Sequence, residues 1–466
     1  MREPCAVTAR RLTTQSNCFR MDASPMYTSD APSEENAMPT IAAVTLGCKV
    51  NQYDTEAMLE AFEAAGYEVV PFERDADVYL VNTCTVTGTG DQKSLKTVRR
   101  AARSHPDSAV IVCGCLAQRE AEAIARMDGV KLVLGVQRRG EVVSLLEQAL
   151  AEGRTINAVA PLRAIPFEAL SVSRHEGRTR ATMKIQEGCD RFCSYCIIPY
   201  VRGPVRSMPL ENVRAEARLL AEAGYREIVV TGIHLASYGR GTGESLIDAI
   251  SAVHDTPGVA RVRLGSLEPG IVTPSFARAL GCMPGLAQQF HLSLQSGSAS
   301  VLKRMHRRYT PEQYLEACAL LRESMPRCAV TTDVIAGFPG ETEEEFAETQ
   351  AFLCSAQLAR LHVFPYSRRS GTVADRLPGQ LTEAEKHARA QALIATGREL
   401  EAAFVARQRG QVVRVLFETE PEEGMLEGYS GAYVRVRAEG DSALLGAIRD
   451  VRITETEGAL ATGCII

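Results

Sequence analysis

No apolar run in this chain approaches the ~20 residues that a membrane-spanning helix needs, so a helical membrane protein is not expected. No secretory leader accompanies the 14 cysteines. Cysteines without export point to a reducing compartment, expected here to be the cytoplasm, and to metal ligation over disulfides. The formal net charge is only −5, which gives no global sign of nucleic-acid binding and leaves any such binding to local patches. No internal repeat at a solenoid period is visible. The ending Gly463-Cys464-Ile465-Ile466 is not a prenylation box, because its cysteine stands third from the end and not fourth.

What remains is ordinary globular composition, with 45% hydrophobic and 23% charged residues. A length of 466 residues exceeds one core and implies roughly three domains of ~100–200 residues each. Residues 1–38 are polar and aperiodic and are expected to form a disordered extension. Arg2, Arg10, Arg11 and Arg20 faintly suggest a transit peptide, and Glu3, Asp22 and Glu34-Glu35 argue against one. Residues 39–152 alternate strand-like stretches (41–46, 78–81, 109–113, 131–134) with helical ones (55–65, 91–103, 118–127, 141–152). This predicts a parallel sheet covered on both faces, with ligands at the carboxyl ends of its strands. Residues 153–178 carry Gly153, Pro161, Pro166 and Gly177 without a period and read as a linker. A second alternating series fills 179–408, with strands near 181–186, 227–231, 261–266, 289–295, 328–336 and 360–365. It predicts an incomplete α/β barrel that ends in a long helix, 381–408. Residues 409–466 turn to β character and read as a small open barrel. The fold class is therefore α/β with an appended β module.

The chemistry is concentrated in Glu187-Gly188-Cys189-Asp190-Arg191-Phe192-Cys193-Ser194-Tyr195-Cys196, just after the first strand of the second series. Thiolates spaced C-x₃-C-x₂-C cannot all pair as disulfides, and soft sulfur ligands select zinc, Cu(I) or an iron–sulfur cluster. A zinc knuckle wants a fourth Cys or His nearby, and none follows before His234. A four-iron cluster on three cysteines instead keeps one iron open. The spacing, with aromatic Tyr195 before the last cysteine, resembles the signature of radical S-adenosylmethionine (SAM) enzymes. That resemblance implies a [4Fe-4S] cluster on Cys189, Cys193 and Cys196 whose open iron takes SAM's amine and carboxylate.

Three more cysteines fall at strand ends of the first series, in Thr45-Leu46-Gly47-Cys48-Lys49-Val50-Asn51, Val81-Asn82-Thr83-Cys84 and Val112-Cys113-Gly114-Cys115. Strand-end loops of a parallel sheet share one edge, so Cys48, Cys84 and Cys115 would converge as another trio. The bland alternative is that they are small buried hydrophobes. Cys113 still belongs to its strand and is expected in the core. Together with Thr231-Gly232-Ile233-His234, Gly265-Ser266-Leu267-Glu268-Pro269, His291–Ser298 and Asp333–Thr342, the two trios resemble the radical-SAM methylthiotransferases over residues 40 to about 460. The terminal β segment is similar to the TRAM module of that family. The Thr45–Asn51 motif resembles the branch acting on threonylcarbamoyladenosine in tRNA (the MtaB type). Segment 367–372 departs from the family in lacking prolines.

The resemblance implies two [4Fe-4S] clusters and SAM as cofactors. It implies SAM cleavage to a 5′-deoxyadenosyl radical, hydrogen removal from carbon 2 of the adenine, and delivery of sulfur from the cluster on Cys48, Cys84 and Cys115. Its implied partners are tRNA, an electron donor such as flavodoxin or ferredoxin, and a sulfur source, with no membrane. Tyr195, Gly232, Ser266, Glu268, Gln295 and Gly337 are candidates for SAM contact, with rim packing as the alternative. Among the basic clusters, Lys303, Arg304, Arg307 and Arg308, and Tyr429, Tyr433, Arg435 and Arg437, are candidates for RNA contact by charge and stacking. A solvated basic face with core tyrosines is the alternative. His234 and His291 are expected to be hydrogen-bonded residues, not ligands. Competing activities are methylthiolation of isopentenyladenosine in tRNA or of a ribosomal-protein aspartate, and a non-catalytic two-cluster electron carrier.

Overall fold

The computed structural model describes residues 38–163, 165–175 and 177–466; all but the last residue of the expected extension, 1–38, lies outside them. The first series comprises β1 (Thr40–Thr45), α1 (Lys49–Ala64), β2 (Glu68–Val70), β3 (Val78–Thr83), α2 (Gly88–Ser104), β4 (Ala109–Gly114), α3 (Cys115–Arg119), α4 (Ala121–Ala125), β5 (Val130–Val133), α5 (Val142–Ala151) and β6 (Ile156–Asn157). Its sheet runs β2-β1-β3-β4-β5-β6, with every pair parallel. The central strands β3 and β4 are buried along their whole length. Their side chains alternate, as the two-residue period of a strand requires. Leu80 and Ile111 meet Met58, Phe62 and Leu146 on one face, while Val81 and Val112 meet Val98, Ala101 and Ile124 on the other. Both faces are covered, which explains why these strands read as unbroken apolar runs.

Two expectations need correction here, and one strand was missed. The segment read as a linker supplies β6, whose two residues pair with Leu132 and Val133. Edge strand β2 was not anticipated. The single helix expected over 118–127 is two short ones that begin at Cys115 and break at Glu120, which leaves helical geometry at φ −119°.

The second series comprises β7 (Arg180–Glu187), α6 (Ile198–Arg202), β8 (Arg206–Ser207), α7 (Leu210–Glu222), β9 (Glu227–Gly232), α8 (Leu246–His254), β10 (Arg261–Leu264), α9 (Pro274–Gly281), β11 (Gln289–His291), α10 (Ala299–Arg304), α11 (Pro311–Ser324), β12 (Ala329–Ala336), α12 (Glu343–Ser355), β13 (Arg360–Pro365) and α13 (Glu383–Ala406). Strand order is β8-β7-β9-β10 and β11-β12-β13, and bridges at Val262–Leu286 and Leu267–Leu292 join the two sheets into one arc. Six parallel strands and one short antiparallel strand make an open barrel. Strand β11 is shorter than expected because the chain beyond it holds only isolated bridges, and Gln295 adopts a left-handed φ of 74°.

The last module, β14 (Val412–Glu422), β15 (Met425–Ser430), β16 (Arg435–Glu439), β17 (Ile448–Glu457) and β18 (Leu460–Ile465), is a closed barrel where an open one was expected. Closure comes from the parallel β16–β18 pair, a non-local contact that local pattern does not announce. The module docks on the amino ends of the large barrel's strands. Arg261 and Arg263 donate to the carbonyls of Tyr429 and Ser430, and Arg180 pairs with Glu418 at 2.6 Å. No helix among the described residues is long and apolar enough to cross a membrane.

Candidate metal centres at the strand ends

Cys48, Cys84 and Cys115 follow β1, β3 and β4, which are neighbours in the sheet, so all three sit on one carboxyl edge. Two glycines make room for them. A side chain at Gly47 (φ 109°) would put Cβ 3.0 Å from the Cys84 Sγ, and one at Gly114 (φ 91°) would put Cβ 2.3 Å from Asn82 Oδ1. Two asparagines then lock the loops together. Asn51 Nδ2 donates to the Leu46 and Thr83 carbonyls at 2.8 and 3.0 Å, and Asn82 Nδ2 donates to the Asn51 carbonyl at 2.8 Å. Cys48 is the N-cap of the 16-residue α1 and offers no side-chain cap, so the positive helix end faces the trio. Burial pushes the Cys84 thiol up and the Cys115 thiol to about 11. Such thiols stay protonated until a metal takes the proton's place. Cys113 lies in the core, as expected.

The second trio lies in the loop from β7 to α6. The Cys189 N–H donates to the Gly203 carbonyl at 3.0 Å, the Cys196 N–H to the Cys193 carbonyl at 2.9 Å, and the Ser194 N–H to the Met305 carbonyl at 3.0 Å. Burial raises Cys189 and pushes Cys196 to about 12. Phe192, between Cys189 and Cys193, is half exposed at a left-handed φ of 48° and meets Tyr200 edge-on at 5.5 Å. Among the described residues, no group of three His, Cys, Asp or Glu side chains is gathered closely enough for a single metal ion. Three unpaired thiols without a fourth ligand fit a multi-iron cluster with one open corner.

Each trio carries one buried guanidinium. Arg202 Nε donates to Cys115 Sγ at 3.1 Å, and Arg307 Nη1 donates to Cys193 Sγ at 3.3 Å. Arg307, a candidate for RNA contact, has a side chain only 8% exposed and directed at that sulfur. Lys303 and Arg308 are exposed as expected, while Arg304 is engaged by both carboxylate oxygens of Glu345 at 2.8 and 2.6 Å. Tyr433 and Tyr429 stack on each other at 4.8 Å, and Arg180 lies over both rings. Arg263 covers Tyr433 from 4.7 Å, at the seam between the two barrels. Arg435 and Arg437 share Glu427, at 3.7 and 2.7 Å.

Of the residues expected near SAM, Glu268 is buried between Arg191 (2.6 Å), Arg307 (3.7 Å) and His234 (3.2 Å). Burial alone would raise its carboxyl, but those three partners prevail and hold it at about 2. It thus ties the loop of the second trio to Arg307. Ser266 is exposed at the same strand end, and Tyr195 packs against Val301, Met305 and Phe338. Gln295 is buried at its left-handed position, a strain that proteins retain at sites of function. Gly232 and Gly337 give way to protein, not to open space. A Cβ at 232 would lie 2.8 Å from that of Gln186, and one at 337 would lie 2.7 Å from Lys386 Cγ. His234 and His291 are hydrogen-bonded, the latter to Asp333 at 3.2 Å.

Sequence reading missed the ionic seam between the two α/β units. Asp54 of α1, Arg139, Lys184 and Glu187 of β7, and Arg202 of α6 are all buried there. Lys184 reaches Asp54 at 2.5 Å, and Arg139 reaches Glu187 at 3.1 Å. Both carboxyls are held below their usual range: burial opposes the charge, and the surrounding cations outweigh it. Segment 367–372 grips the same unit from the other side, with Arg369 on Asp91 at 2.6 Å and Ser367 accepting from the Gly88 N–H at 3.0 Å.

Two family models match this chain, the uncharacterized protein family UPF0004 over residues 40–135 and the radical SAM superfamily over 183–353. The chain is 42% identical to the threonylcarbamoyladenosine tRNA methylthiotransferase MtaB of Bacillus subtilis, covering 89% of this chain and 94% of the relative. It belongs to the radical SAM methylthiotransferases. The MtaB protein of Thermotoga maritima is 34% identical over 89% of this chain and 94% of its own. A tRNA-2-methylthio-N(6)-dimethylallyladenosine synthase of Thermoanaerobacter sp. is 33% identical, covering 91% and 92%. The radical SAM methyltransferase TsrM of Kitasatospora setae shares the fold, with a TM-score of 0.56, 17% identity, and coverage of 84% of this chain and 81% of that one. The protein is therefore a transferase, and the electron-carrier reading is set aside. Membership in the radical SAM family brings a [4Fe-4S] cluster and SAM.

Proposed function

We propose that this methylthiotransferase places a methylthio group on carbon 2 of N(6)-threonylcarbamoyladenosine, beside the anticodon of tRNA. The observation that carries the reading is the pair of cysteine trios, each at the carboxyl edge of its own sheet and joined through the buried seam. The Thr45–Asn51 motif and the 42% identity to a relative named for that nucleoside support the choice of base. Cys189, Cys193 and Cys196 would hold the cluster that binds SAM, and Cys48, Cys84 and Cys115 a second one. When bound, the clusters and SAM supply homolytic cleavage, hydrogen abstraction and sulfur transfer, chemistry no side chain offers.

The chain's own residues hold and orient. Glu268 and Arg307 fix the loop of Cys189, Cys193 and Cys196, and Arg307 also places a positive charge at the Cys193 sulfur. Exposed Lys303 and Arg308, with Arg435, supply phosphate contacts that need no base sequence. An electron donor of flavodoxin or ferredoxin type and a sulfur source complete the set of partners.

Nucleoside mass spectrometry of tRNA from a deletion strain tests the reading. Methylthio-threonylcarbamoyladenosine should vanish and return on complementation. Its persistence, with loss of the methylthio-isopentenyl nucleoside instead, would sink this reading in favour of the branch named for dimethylallyladenosine.

A further inference from the structure

Arg202 is the last residue of α6, in the SAM-binding unit, yet three of its four side-chain partners belong to the other unit. It is fully buried. Its Nε donates to Cys115 Sγ at 3.1 Å, and its Nη1 donates to Asp54 Oδ2 at 3.1 Å and Glu187 Oε1 at 2.5 Å. Its Nη2 donates to Asn51 Oδ1, on the first turn of the helix that Cys48 caps. The next residue completes the bridge, since the Gly203 carbonyl accepts from the Cys189 N–H at 3.0 Å. Two consecutive residues therefore hold a ligand of each trio, and Glu187 stands two positions before Cys189 in the chain.

A planar fork with five donors satisfies four partners at once, and a lysine could not. The charges also leave a place for a partner. Arg139, Lys184, Arg202 and Arg206 are four cations against the carboxylates of Asp54, Glu187 and Glu168. An anionic centre on the Cys48, Cys84 and Cys115 thiolates would offset the remaining positive charge.

We propose that Arg202 is a positioning residue of the amino-terminal metal centre, supplied across the seam by the SAM-binding unit, which fixes Cys115 and sets the register of the two centres. The inference rests on the two-cluster reading above. A hydrogen bond to a ligand sulfur stabilises the electron-rich reduced state, so Arg202 raises the reduction potential of that centre. Loss of such an outer contact costs a metal site about 10–100-fold in affinity.

The test uses the full-length chain with Cys189, Cys193 and Cys196 changed to Ala, reconstituted with ferrous iron and sulfide so that only the amino-terminal centre is loaded. Arg202→Lys and Arg202→Met are introduced into it. The expected result is unchanged circular dichroism for the lysine variant, iron held about 10–100-fold more weakly against a chelator, and an electron paramagnetic resonance titration shifted to lower potential. Iron retention and potential equal to the parent's would overturn the assignment. If both variants misfold, the parent labelled with [¹⁵N]arginine decides. Electron spin-echo modulation from ¹⁵N is expected at the reduced centre, and its absence overturns the proposal. A parent that loads no iron on Cys48, Cys84 and Cys115 would overturn the two-cluster reading itself, a failure distinct from that of Arg202.

Discussion

The two trios reach similar ends by opposite routes. Cys189, Cys193 and Cys196 lie within eight residues of one loop, so their proximity costs little chain entropy and is written in the local sequence. Cys48, Cys84 and Cys115 come from three loops and meet only because β1, β3 and β4 are neighbours in the sheet. The first arrangement is a motif; the second is a product of tertiary structure. If each trio holds a centre, as proposed, the one in the motif loop can fail while the fold survives, whereas the other fails whenever the sheet edge shifts.

The largest expected effect separates the centres outright. Cys193→Ala should abolish formation of 5′-deoxyadenosine from SAM, while Cys84→Ala should spare it and block only methylthiolation of tRNA. Equal loss of SAM cleavage in both would show that the centres do not divide the work. Next comes Gly114→Ala, which tests dependence on the sheet edge. The new Cβ would meet Asn82 Oδ1 at 2.3 Å and the Thr83 carbonyl at 2.5 Å, at a φ of 91° that itself costs about 1–3 kcal/mol for a side chain. Iron on the amino-terminal trio should drop severalfold with SAM cleavage kept, read by iron quantitation and deoxyadenosine yield. A smaller loss, about tenfold in SAM cleavage, is expected for Glu268→Gln, which leaves Arg307 and Arg191 without their shared counter-charge.

How much of this was legible in the sequence follows the same contrast. The motif loop could be read from spacing alone, and the strand-end cysteines from the alternation of apolar runs that a doubly covered sheet imposes. Strand β6 could not, because two residues among prolines and glycines carry no period. Charge was the least legible quantity. Arg307 and Lys303 belong to one basic run, yet one faces a cysteine sulfur and the other solvent. Lys184 and Glu187 sit in a strand otherwise bound for the core, where sequence predicts apolar side chains. Their partners, Asp54, Arg139 and Arg202, lie in segments that only the packed fold brings together. A basic residue directly before a turn glycine, within ten residues of the cysteine motif, was the available signal for Arg202.

Two buried glutamates extend the comparison to acid–base behaviour and give the smallest expected effect. Glu268, beside the motif loop, is surrounded by cationic partners. Glu216 of α7 lies on the seam with the amino-terminal unit, where the Tyr53 hydroxyl donates to its Oε2 at 2.9 Å and Oε1 has no partner. Burial dominates there, and its carboxyl is pushed up to about 8, so the folded protein keeps it protonated near neutrality. The unfolded chain releases that proton near the usual 4.5 of a glutamate. Between these values the unfolded state binds fewer protons than the folded one, so this group's contribution to stability is full below 4.5 and is lost as pH rises toward 8. Glutamine keeps the hydrogen bond from Tyr53 and cannot ionise. Glu216→Gln should therefore raise stability at pH 8, by on the order of 1 kcal/mol or more and seen as a higher melting temperature, and lose that advantage at pH 4.5. A gain independent of pH would mean that Glu216 is already charged in its seam, and that the seam differs from the motif loop in shape but not in how it treats a carboxylate.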